Sequence, residues 1–217
     1  MSIRGGFFVV LDGIDGCGKS LHSRLLNEEL LAAGYRTFRT MEPSNGVIGR
    51  FIRHSLLRSQ KTDPEIEALL FAADRFDHLH YEILPSLKRG RVVVSDRYFH
   101  SSLAYQGAQG VDLDWIRELN SFAIKPDLSI YLDLPPDIGL QRKRGPSSVL
   151  EKFELQKKVR EAFLQLASSG EMILVDANGP INDVKQRILS ITLNALRDER
   201  EKAAYSDSSP ERHDTPE

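Results

Sequence analysis

Gly13-Ile14-Asp15-Gly16-Cys17-Gly18-Lys19-Ser20 follows directly on the apolar run of residues 7–11. Its pattern is Gly-x-x-x-x-Gly-Lys-Ser, and each position has a physical use. Glycine lets the backbone turn tightly and come close to an anion. Successive amides then point inward as a nest, and the helix that follows adds its N-terminal partial positive charge. Lys19 is placed to reach the β- and γ-phosphates of a nucleotide, and Ser20 offers a hydroxyl to Mg²⁺. All eight residues, Gly13 to Ser20, are therefore read as a nucleoside triphosphate site. A purely structural turn would leave Lys19 and Ser20 unexplained. Cys17 keeps two readings: a thiol activated by the nest, or a small side chain that fits.

Outward from this loop, Phe7-Phe8-Val9-Val10-Leu11 reads as a strand buried on both faces. After the loop, Leu21, Leu25, Leu26 and Leu30 recur at helical spacing up to Gly34. Further strands are expected at 35–40, 92–94, 128–132 and 173–175. Helices are expected at 46–57, from Asp63-Pro64 to about Leu84 with Pro85 interrupting, after Asp112, at 150–167 and at 181–196. Short apolar strands alternating with helices imply βαβ units and a parallel sheet with right-handed crossovers. Residues 1–197 make one domain. Beyond Asp198 apolar residues almost vanish, and a disordered tail is expected over 198–217.

Twenty-nine basic against 31 acidic residues give no basic footprint for nucleic acid. One cysteine excludes an intrachain disulfide and fits a reducing cytoplasm. No apolar run reaches membrane-spanning length.

Phosphate-gripping loops serve switches, motors and kinases alike. A guanine-reading Asn-Lys-x-Asp is absent from the sequence. A second anion site is suggested by Arg50, Arg53, Arg75 and Arg97, since planar guanidinium groups suit phosphate. On the helix after Pro64, Ile66, Leu69, Leu70, Ala73, Phe76, Leu79 and Ile83 share one face, read as the core stripe. Phe71, Asp74, Arg75 and His78 fall opposite. Phe71 and Arg75 could present a ring and a donor to a nucleobase, or form a packed cation–π pair; spacing alone leaves both open.

Several stretches resemble one family. Asp96-Arg97-Tyr98-x-x-Ser101-x-x-Ala104-Tyr105-Gln106 resembles the signature of thymidylate kinases. Leu70-Phe71-Ala72-Ala73-Asp74-Arg75 resembles their base-binding helix, and Glu42-Pro43 through Arg53 their Glu-Pro segment. The likeness covers about residues 7–196. It implies a three-layer P-loop α/β fold with a five-stranded parallel sheet and a short lid. It also implies phosphoryl transfer from Mg-ATP to dTMP, and a homodimer. By the same resemblance Phe71 stacks on thymine and Arg75 bonds its carbonyl edge. Arg53 and Arg97 hold the acceptor phosphate, Asp15 contacts the sugar, and Ser101, Tyr105 and Gln106 line the pocket. Asp96 joins Ser20 at the metal, and Lys19 acts on the migrating group. Some relatives carry a catalytic arginine in the loop where this chain has Gly16, so a lid arginine, Arg142 or Arg144, is expected to serve. A kinase for another nucleotide or nucleoside, or an ATP-dependent switch, is the competing reading.

Overall fold

The computed structural model describes residues 5–54, 62–142 and 149–208. Five strands form one parallel sheet: β1 (Phe7–Asp12), β2 (Thr37–Met41), β3 (Val92–Asp96), β4 (Leu128–Asp133) and β5 (Ile173–Asp176), in the order β2-β3-β1-β4-β5. Phe7 pairs in register with Val92 and Val9 with Leu128, so β1 is central and all six of its residues are buried. Alternation sends Phe7, Val9 and Leu11 into one core with Leu26, Leu30, Phe163 and Ile188. It sends Phe8 and Val10 into a second core with Leu79, Ile83 and Tyr98. Helices thus cover both faces, and a strand buried twice has no polar face to alternate with.

The helices are α1 (Lys19–Ala32), α2 (Val47–His54), α3 (Pro64–His78), α4 (Leu84–Lys88), α5 (Phe99–Ala108), α6 (Leu113–Leu119), α7 (Pro136–Arg142), α8 (Val149–Ser168) and α9 (Ile181–Ser208). The caps fall where the sequence places them. Asp63 accepts from the Glu65 amide at 3.0 Å, and Asp112 from the Trp115 amide at 2.8 Å.

Three expectations change. Pro85 does not interrupt its helix. A π-helical turn, Leu79–Ile83, joins α3 to α4, and the Leu84 amide bonds back five residues to the Leu79 carbonyl. That wider turn gives the proline ring room that a four-residue repeat would deny it. Second, α9 stays helical to Ser208, eleven residues past the expected end of the domain; residues 209–217 lie outside the described residues.

The third change inverts α3. Of the expected core stripe, only Leu79 and Ile83 are buried, whereas Ile66 (51% exposed), Leu69 (48%) and Phe76 (49%) face outward. The face read as polar goes inside: Asp74, Arg75 and His78 are buried. They are matched there by hydrogen-bond partners, which makes polar burial tolerable. Helix α2 packs on α3 and adds exposed Val47 and Phe51.

Candidate active site

The strand order reverses at β1, which has β3 on one side and β4 on the other. A crevice opens at such a point, beyond the carboxyl ends of the strands. Residues 13–18 form its floor. Gly18, in the left-handed region at φ 96°, turns the chain into α1, and Lys19 is the first helical residue. Lys19 is buried, and its Nζ donates to the carbonyls of Gly13 at 2.9 Å and Ile14 at 2.7 Å. The ammonium is folded onto its own loop, so phosphate oxygens would take over those bonds. The Cys17 thiol is buried and pushed up by that burial, which favours the small-side-chain reading.

Gly16 explains why no arginine stands in the loop. A Cβ there would lie 2.1 Å from the Gly139 carbonyl oxygen of α7, and φ is 81°. Arg142, exposed at the end of α7, instead reaches the Gly16 carbonyl from outside, at 3.4 Å. Arg144 lies outside the described residues.

Ser20 Oγ donates to Asp96 Oδ2 at the end of β3. The other oxygen, Asp96 Oδ1, is buried with no hydrogen-bond partner among the described residues. A hydroxyl beside an unsatisfied carboxylate oxygen is a hard donor set. It suits a cation that takes one or two protein oxygens and fills its shell with phosphate and water, as Mg²⁺ does.

Across the crevice, Arg97 sits in the left-handed region at φ 78°. This conformation is costly for a residue with a Cβ. It aims the guanidinium at Asp15 Oδ1 (2.9 Å) and Ser101 Oγ (3.0 Å), over the Tyr105 ring with its centroid 5.0 Å away. The Tyr105 hydroxyl donates to Asp15 Oδ1 at 3.0 Å, and Ser101 Oγ donates to Asp12 Oδ1 at 2.7 Å. Asp12 is fully buried. Burial pushes its carboxyl above the usual range, against the pull of Arg97 and Lys19. Residues of β1, the loop, the end of β3 and α5 thus share one hydrogen-bonded cluster.

Arg53, on α2, donates to the Pro43 carbonyl and to Asn45 Oδ1 at 3.3 Å, so it rests on the turn after β2. Phe71 is half-buried on α3. Arg75 lies deeper than its expected role suggests, at 1% exposure. Its Nε and Nη2 grip Glu42 Oε2 at 3.0 and 2.8 Å, and its Nη1 donates to Asn120 Oδ1. Gln106 is buried too, and its amide donates to Glu67 Oε2 at 3.2 Å, tying α5 to α3.

Other residues belong to the site that the sequence did not single out for it. Gln156 of α8 accepts from the Asp15 amide at 2.9 Å and so reaches the loop from 141 positions away. Asp74 accepts from the Ser44 amide and hydroxyl at 2.7 and 2.6 Å, fixing the turn that carries Pro43. The spacing of Asp74, His78 and Glu82, four residues apart along one face, was the available signal for this buried polar row.

A phosphate-cradling loop facing a cluster of arginine, carboxylate and hydroxyl groups across one crevice defines a P-loop phosphotransferase with a second ligand site. The chain belongs to the thymidylate kinase family, whose sequence model matches residues 11–188. Similar proteins include a probable thymidylate kinase of Thermococcus onnurineus, 46% identical over 201 residues covering 87% of this chain and 98% of that protein. A probable thymidylate kinase of Pyrococcus horikoshii is 45% identical over 200 residues, 88% and 98% of the two chains. One of Staphylothermus marinus is 41% identical over 199 residues, 90% and 99%.

Proposed function

We propose that the chain transfers the γ-phosphoryl group of ATP to dTMP, giving dTDP and ADP. The observation that carries this reading is the hydrogen-bonded Arg97–Asp15–Tyr105–Ser101 cluster set against the P-loop. In the reaction an acceptor phosphate oxygen forms a bond to the γ-phosphorus while the bond to the β,γ-bridging oxygen breaks. The acceptor is already an anion, so no general base is required; alignment and positive charge do the catalysis.

Lys19 exchanges its loop carbonyls for the donor's phosphate oxygens. Ser20 and Asp96 hold Mg²⁺, which neutralises charge on the donor phosphates when bound. Arg53 and Arg97 orient the acceptor phosphate, and Asp15 meets the sugar. Phe71 offers its ring for stacking on thymine. Behind it Arg75 is held rigid by Glu42 and Asn120, and the second N–H of its Nη1 is the donor for the base's carbonyl edge. Ser101, Tyr105 and Gln106 complete the pocket wall. Arg142 or Arg144 supplies the charge that Gly16 cannot carry.

We further propose a homodimer that covers the apolar face of α2 and α3, and a site of action in the cytoplasm. Among the described residues no helix is long and apolar enough to cross a membrane.

The test is ADP release with Mg-ATP and, in turn, dTMP, dUMP, dCMP, dGMP and thymidine. A strong signal with dTMP, lost in Lys19→Ala, is the expected result. Strong activity with another acceptor alone would reassign the pocket. Slow, acceptor-independent hydrolysis would replace the kinase by a switch.

A further inference from the structure

His78 is fully buried, and its contacts define its charge. Thr40 Oγ1 lies 2.7 Å from His78 Nε2 and donates its own proton to Glu82 Oε2, also at 2.7 Å. A hydroxyl has one proton, so toward the imidazole Thr40 presents a lone pair, and Nε2 carries a hydrogen. The other ring nitrogen, Nδ1, faces Glu42 Oε1 at 3.3 Å. An ionised carboxylate only accepts, so Nδ1 carries a hydrogen as well. A ring that donates from both nitrogens is an imidazolium.

We infer that His78 is a positioning residue of the acceptor site, an imidazolium charged at neutral pH that clamps the turn on which Arg53 rests. The inference deepens the dTMP kinase reading and rests on it. The connection is short. Glu42 directly follows β2, Pro43 comes next, and the Pro43 carbonyl accepts from Arg53. The Glu42 carboxylate is held by Arg75 through Oε2 and by His78 through Oε1. His78 also faces Glu82 Oε2 at 3.5 Å from the π-helical turn. Among the described residues, further titratable neighbours of this cluster include Asp74 on α3, whose carboxyl is taken by Ser44, Tyr98, whose ring centroid lies 5.6 Å from the Arg75 guanidinium carbon, and His100 on α5, which feels the Arg75 charge. Two carboxylates, Glu42 and Glu82, therefore meet two cations, Arg75 and His78. Without the imidazolium, Glu42 would keep Arg75, but Glu82 would lose its cation and keep only the Thr40 hydroxyl. Burial lowers the imidazole, yet its bonds to Glu42 and Glu82 carry it up to about 9, which agrees with the geometry. Glu82 is held below its usual range, first by His78.

The test has two arms on the full chain. Long-range ¹H–¹⁵N spectra of ¹⁵N-histidine protein should show two protonated ring nitrogens for His78 at neutral pH. A neutral tautomer, or titration near the ordinary histidine value, would overturn the inference. In kinetics, His78→Gln and the near-isosteric Thr40→Val should raise KM for dTMP by about tenfold while KM for ATP stays within about twofold and kcat changes less than KM. Folded variants with both KM values unchanged, or raised equally, would also overturn it. If His78→Gln fails to fold, the wild-type spectra and Thr40→Val decide. A wild-type chain without dTMP-dependent activity would sink the functional reading instead, and the spectra would still settle the charge of His78.

Discussion

In the proposed mechanism Arg97 concentrates the chemistry of the acceptor side in one strained residue. Its guanidinium bonds Asp15 and Ser101 and covers Tyr105; against the pull of burial, Tyr105 and the carboxylates of Asp15, Asp12 and Asp96 hold it far above its ordinary value. On the proposed reading, replacing it would remove a pair of charge-assisted bonds to the acceptor phosphate. Arg97→Ala should therefore raise KM for dTMP on the order of 100-fold, with KM for ATP changing far less. Steady-state kinetics with each substrate varied in turn checks this, and equal effects would move Arg97 out of the acceptor site. Arg97, like the P-loop, was legible in the sequence because its motif is contiguous. Asp12, Asn120 and Gln156 were not, because Ser101, Arg75 and the Asp15 amide, which give them meaning, lie 89, 45 and 141 positions away. Only folding puts those pairs together.

The inner strands β1, β3 and β4 were legible as elements because double burial writes itself as an apolar run, as in Phe7-Phe8-Val9-Val10-Leu11. Helix α3 was misread because its apolar stripe and its buried stripe are different faces. Periodicity sees hydrophobicity, but what is buried here is a set of mutually satisfied polar groups. Two buried histidines on separate elements give opposite pH responses. His78, raised to about 9, binds its proton more tightly folded than unfolded. Its contribution is complete below pH 6.5 and is lost as pH rises through about 9. His100 on α5 is lowered to about 4, chiefly by burial, and its Nδ1 is buried without a hydrogen-bond partner among the described residues. Its neutral form is the folded one, so stability falls as pH drops from 6.5 toward 4. Each effect is on the order of 3 kcal/mol across its window. Denaturant midpoints should peak near pH 6.5, and His78→Gln should flatten only the alkaline limb. Unfolding titrations at stepped pH would reveal a monotonic profile if either histidine were misassigned.

At the scale of the whole molecule, the outward Ile66, Leu69 and Phe76, with Val47 and Phe51 beside them, form an apolar surface that a lone chain would leave wet. The proposed second copy covering it would give an isologous dimer. Leu69→Glu with Phe76→Glu should produce a monomer by light scattering while the far-ultraviolet circular dichroism stays unchanged. A wild-type monomer at micromolar concentration would refute the dimer. The back-to-back glycines of the P-loop and α7 have a wider consequence. Because Gly16 has no room for a side chain against Gly139, on the proposed mechanism the last positive charge would have to reach the migrating group from beyond the loop. On that mechanism a nucleotide bound alone would meet an incomplete electrostatic field, and stray water would attack it slowly. Two missing methyl groups would in this way guard the cell's energy supply against an idle enzyme.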